Sequence, residues 1–173
     1  MRKLSTKRIA YISLMLAVAL IISIVESFIP PIIPMLPMIK LGLSNVVILF
    51  TYIVFGGKIA YFVLICRCFL VALFSGNLFS LAFSMPAGIL SLMVGIMLVR
   101  MDKNSIIIVS SVSAIMHNVV QIFIASIITN SASVFMYLPY LFVIGGASGM
   151  LTGFITMLLI KKMPSSLFTT LNE

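Results

Sequence analysis

At 173 residues, 62% of them hydrophobic and 8% charged, with a mean hydropathy of +1.32, the chain is too apolar for a soluble globular domain and reads as a polytopic membrane protein. A helical span needs about 20 apolar residues, so six spans consume about 120 and leave short loops but no separate soluble domain. The net charge of +8 would suggest nucleic acid in a soluble protein; in a membrane protein it is read through where the charges fall.

Hydropathy predicts the first span at Ile9–Ile29, after the basic residues Arg2, Lys3, Lys7 and Arg8. The basic start and Ala17-Val18-Ala19 have the form of a signal peptide, but the apolar run continues through Leu20–Val25, as a retained helix does. Next comes Pro30-Pro31-Ile32-Ile33-Pro34-Met35-Leu36-Pro37, which cannot continue a helix and is expected to fold back over the bundle as a loop. The remaining spans are predicted at Leu41–Phe55, which is short, Ile59–Ser75, Leu78–Val99, Ser105–Ile128 and Val134–Ile160. The expected fold is therefore all-α: a six-transmembrane-helix bundle, with residues 1–173 as one integral-membrane domain.

Nine of the eleven cations lie on one side of this topology: Arg2, Lys3, Lys7, Arg8, Lys58, Arg100, Lys103, Lys161 and Lys162. The positive-inside rule makes that side, and both termini, cytoplasmic. Lys40 and Arg67 break the pattern. Arg67 stands between Cys66 and Cys68 in an otherwise uncharged run, where a guanidinium costs roughly 2.5 kcal/mol or more unless it faces a polar cavity or a partner. The two thiols are too closely spaced for a Cys-x-x-Cys motif and read as buried apolar groups.

Other polar residues fall at similar depths. Glu26 is near the outer end of span one, Lys40 and Asn45 open span two, and Arg67 is about 12 Å along span three. His117, Asn118 and Gln121 cluster in span five, where three- and four-residue separations put Gln121 on a face with both others. Four helices can thus feed one outward-facing pocket, and two cations against one carboxylate suit an anionic or zwitterionic solute. An Arg67–Glu26 pair, or Asn118 and Gln121 bonding across helices, would serve stability alone. His117 by itself is a poor metal site, since zinc takes three or four protein ligands, and no metal or cofactor is expected.

Small residues recur at packing intervals. Gly145, Gly149 and Gly153 form a double Gly-x-x-x-Gly stripe in span six, and Ser84, Gly88, Ser91 and Gly95 follow a 4-3-4 spacing in span four; both suit close helix contact within the bundle. Pro86 and Pro139 sit near outer helix ends, where a missing donor is tolerated. The acidic residues are Glu26, Asp102 and Glu173, too few and too scattered for paired-carboxylate catalysis or for magnesium on a diphosphate. No phosphate-binding Gly-x-x-x-x-Gly-Lys-Ser/Thr loop occurs, so an ATP-driven action needs a partner. The chain is therefore expected not to be an enzyme.

Glu26-Ser-Phe-Ile-Pro30, Lys40-Leu-Gly42-Leu-Ser-Asn45, Leu78-Phe-Ser80 and His117-Asn118-x-x-Gln121 resemble the Gx transporter family, also labelled heptaprenyl diphosphate synthase component I. That family is similar to the substrate-binding subunits of energy-coupling-factor transporters. The resemblance implies a multi-pass subunit of the bacterial cell membrane that binds a small vitamin or cofactor precursor. It would work with a membrane coupling protein and two cytosolic ATPases, with Glu26, Lys40, Asn45, Arg67, His117, Asn118 and Gln121 holding substrate. Such subunits often present an Ala-x-x-x-Ala face on helix one, where this chain has Ser13-Leu-Met-Leu-Ala17. The prenyl-synthase label implies a different role, that of a non-catalytic accessory to isoprenoid or quinone synthesis.

Overall fold

The computed structural model describes residues 6–28, 42–101 and 104–163. They form α1 (Thr6–Ser27), α2 (Asn45–Phe55), α3 (Gly57–Phe74), α4 (Phe79–Arg100), α5 (Ile106–Thr129), a 3-10 turn (Ala132–Tyr137) and α6 (Leu138–Lys162). Five of these helices are long and apolar enough to cross a membrane. α2 is not: its 11 residues extend about 16 Å against a hydrocarbon core of about 30 Å. The expected second span, Leu41–Phe55, is thus helical only from Asn45, and Leu41 lies outside the described residues.

The breaks between helices have local causes. Gly56, at φ +86°, gives α2 and α3 a one-residue connection, and Gly76, at φ +64°, turns the chain between α3 and α4; both angles suit a residue without Cβ. α5 starts at Ser105, whose hydroxyl accepts from the Ile107 amide at 3.3 Å, and ends at Asn130 in the left-handed region. Pro139 lies in the first turn of α6, where its missing donor is harmless, so the helix begins there and the preceding residues wind as the 3-10 turn. Pro86 lies inside α4.

The one-residue turn at Gly56 makes α2 and α3 an antiparallel hairpin, so the start of α2 lies level with Arg67, as far from the turn along α3 as Asn45 is along α2. α2 touches all five long helices and buries Val46, Val47, Ile48, Leu49, Thr51, Val54 and Phe55. A helix apolar on every side belongs at the centre of a bundle, and α2 occupies it. α1 is more peripheral, burying only Ala19, Ser23 and Glu26. These follow at four- and three-residue intervals, so its inward stripe is partly polar.

The small-residue stripes make intramolecular contacts. A Cβ at Gly149 would stand 2.5 Å from Ser111 Cα, and one at Gly153 2.7 Å from Ile107 Cα, so α5 and α6 meet backbone to backbone. Ser110 and Thr152 share a hydrogen bond of 2.8 Å across this seam. On α4, Gly88 receives the Leu64 side chain of α3 and Gly95 faces Ser113 of α5, while the buried Ser91 hydroxyl returns to the Gly88 carbonyl at 3.0 Å.

Candidate functional site

A polar recess lies between α1, α3, α4 and α5, toward the end of the bundle that holds the C-terminal ends of α1, α3 and α5. Its described walls are Ser23 and Glu26 from α1, Gly42 and Ser44 before α2, Arg67, Cys68 and Val71 from α3, Ser80 and Ser84 from α4, and His117 and Gln121 from α5. The space between them is about 40 Å³, enough for about three water molecules.

Each wall is placed by helix geometry. Arg67 and Val71, like His117 and Gln121, are four residues apart and share a face; Ser23 and Glu26 do so at three. Arg67 is 5% exposed, and its Nη1 donates to the Ser44 hydroxyl while Nη2 lies 3.6 Å from Cys68 Sγ. The hairpin register brings Ser44 there, because residues at equal distances from Gly56 meet across it. Glu26 accepts the Gly42 amide at 2.5 Å, which joins the end of α1 to the start of α2. Gly42 adopts φ +75°, in the left-handed region that favours glycine.

The α5 pair differs in kind. Gln121 is 1% exposed and His117 4%, yet Gln121 Oε1 and His117 Nδ1 have no hydrogen-bond partner among the described residues. The His117 ring interacts with the Ala87 backbone, next to Pro86 in α4. A buried polar atom left without a partner costs about 1–3 kcal/mol. Both residues line the recess, so two buried polar atoms on adjacent turns of one helix stand beside it without a described partner.

The sequence-predicted residues divide between locations. Glu26, Arg67, His117 and Gln121 meet in the recess. Asn118 instead points at α6, where its Nδ2 donates to the Leu141 carbonyl at 3.1 Å and crowds Gly145, at 2.6 Å from the Cβ position there. Asn45 borders a second interior cavity of about 30 Å³, shared with Ser91, Gly95, Ser110, Ser113 and Thr152 among others. Lys40 lies outside the described residues. Ser84, expected as a packing residue, lines the recess, and of the two thiols Cys68 is buried beside Arg67 while Cys66 is half-buried.

Sequence reasoning missed Ser23, Gly42, Ser44 and Ser80. Gly42 and Ser44 lie inside the Lys40-Leu-Gly-Leu-Ser-Asn45 block, and a glycine followed by a hydroxyl at a helix start was the available signal.

A bundle of apolar helices that buries an arginine, a glutamate, a histidine and amides around a central half-length helix defines a multi-pass membrane protein. A family model described as heptaprenyl diphosphate synthase component I matches residues 15–159, and the chain belongs to that family. Among curated proteins and solved structures, no match is found.

Proposed function

We propose that the protein is the non-enzymatic, substrate-binding membrane subunit of an importer of the energy-coupling-factor type, which captures a small zwitterionic vitamin or cofactor precursor. The observation that carries this reading is the buried Gln121, whose amide oxygen has no hydrogen-bond partner among the described residues and which lines the same recess as Arg67, Glu26 and His117. Arg67 supplies donors to a carboxylate, Glu26 an acceptor to a cationic group, and Gln121 and His117 hydrogen bonds to the body of the solute.

On this reading α2 completes six membrane helices with both termini in the cytoplasm. Lys7, Arg8, Lys58, Arg100, Lys161 and Lys162 sit at helix ends opposite the recess, and the positive-inside rule then turns the recess to the exterior of the cell membrane, in a bacterium. Capture precedes hand-over to a membrane coupling protein driven by two cytosolic ATPases.

The family description favours a second reading, a membrane accessory that holds a lipid substrate for an aspartate-rich prenyltransferase. Affinity purification of the full chain from native membranes, with mass spectrometry of what accompanies it, separates the two. A coupling protein with ATPases supports import, and a soluble prenyltransferase refutes it in favour of the accessory role.

A further inference from the structure

The polar recess adjoins an apolar groove. Val71 lines it and also lines a larger groove of about 370 Å³ formed with Ile24, Ser27, Phe28, Phe74 and Ser75. Along α3, Arg67, Val71 and then Phe74 and Ser75 follow at three- and four-residue steps, so the guanidinium, the shared Val71 and the apolar wall stack on one face over about 12 Å. On α1, Glu26 belongs to the recess, while its neighbours Ile24, Ser27 and Phe28 belong to the groove. The same two helices therefore build both compartments. At about 40 Å³ the polar one admits little beyond a charged head, whereas the groove has room for an arm. Phe28 and Phe74, 83% and 72% exposed, form its apolar rim.

We infer that the captured solute is amphipathic. A compact zwitterionic head sits against Arg67, Glu26, His117 and Gln121, and an unbranched apolar arm passes Val71 and lies in the groove between the ends of α1 and α3. This rests on the recess being a capture site and adds the chemistry of the substrate. The shared Val71 selects the occupant, because it places the apolar groove directly beside the head in the recess, within reach of an arm attached to it. Each methylene moved from water into the groove contributes about 0.8 kcal/mol, a fourfold gain in affinity.

The test uses straight-chain 2-amino acids of four to ten carbons, bound to the full-length protein in lipid nanodiscs, with uptake by empty discs subtracted. Affinity should climb about threefold to fourfold per methylene until the groove is filled. Ile24→Trp fills the groove from the α1 wall and Ser75→Trp from the α3 wall, neither residue lining the recess; each should flatten the climb while leaving the four-carbon member bound as before. Affinity independent of chain length, or a climb that survives both substitutions, overturns the apolar arm and leaves head capture standing. Failure of every member to bind the folded protein overturns the arm and the capture reading together.

Discussion

Replacing Gly149 by alanine tests whether α5 and α6 are held by direct backbone contact. The new Cβ would lie 2.5 Å from Ser111 Cα, 2.9 Å from the Ser110 carbonyl oxygen and 3.0 Å from Ala114 Cβ. Carbon atoms pack at about 3.5–4.0 Å, so the helices must separate by roughly 1 Å. The obstacle is main chain, which cannot rotate aside, and the separation also pulls Gly153 from Ile107 and stretches the 2.8 Å Ser110–Thr152 bond. Overpacking of this kind costs about 1–3 kcal/mol, of which the better helix propensity of alanine returns up to 1. Gly146 supplies the control: a Cβ there meets only Ile115 Cδ1, at 3.8 Å, an ordinary contact, so Gly146→Ala should be neutral or slightly stabilising. Both variants gain the helix propensity of alanine, so at about 2–4 °C per kcal/mol for a chain of this size Gly149→Ala should melt about 2–12 °C below Gly146→Ala. Thermal unfolding in detergent, read in a Cys66→Ala background by a thiol-reactive fluorophore reaching the buried Cys68, measures the difference. Equal midpoints would refute the backbone seam.

Three further substitutions separate function from support. Gln121→Leu removes a buried amide whose oxygen has no partner among the described residues, so thermal unfolding should show stability held or raised by about 1–2 kcal/mol while solute binding is lost; a destabilised variant would make Gln121 inter-helix glue. Asn118→Ala loses the bond to Leu141 and should cost about 0.6–1.7 kcal/mol with binding retained. It also clears the space beside Gly145, so Gly145→Ala should be less damaging in that background than alone, a coupling that a double-mutant cycle of unfolding midpoints reads directly. Ser44→Ala strips Arg67 of its hydroxyl partner and should lower stability by about 1–3 kcal/mol, with Ser44→Thr restoring most of it in the same melting assay.

The long helices were legible because apolar runs of span length admit few alternatives. The predicted Ile59–Ser75 and Ser105–Ile128 lie within two residues of α3 and α5 at either end. The sixth was predicted to start at Val134 but starts at Leu138, since hydropathy cannot distinguish a 3-10 turn from an α-helix and Pro139 sets the new start. In the site, Arg67 announced itself as a charge in an apolar run. Asn118 and Gln121 illustrate the limit of helical-face arguments: three residues apart they differ by about 60° around the axis, which turns one toward α6 and the other into the recess. The Gly42 amide that meets Glu26 was illegible for a simpler reason, since a backbone donor carries no residue code.

The seam of Gly145, Gly149 and Gly153 has a mechanical meaning beyond stability. With their main chains in contact, α5 and α6 can only travel as a unit, carrying His117 and Gln121 as a fixed jaw. Among the described spans α1 has the smallest interior share, 17% of its apolar window against 33–44% for the others. On the capture reading α1 is therefore the span with the least packing to lose if the recess opens, and the hydrogen bond from the Gly42 amide to the Glu26 carboxylate ties its end to the start of α2.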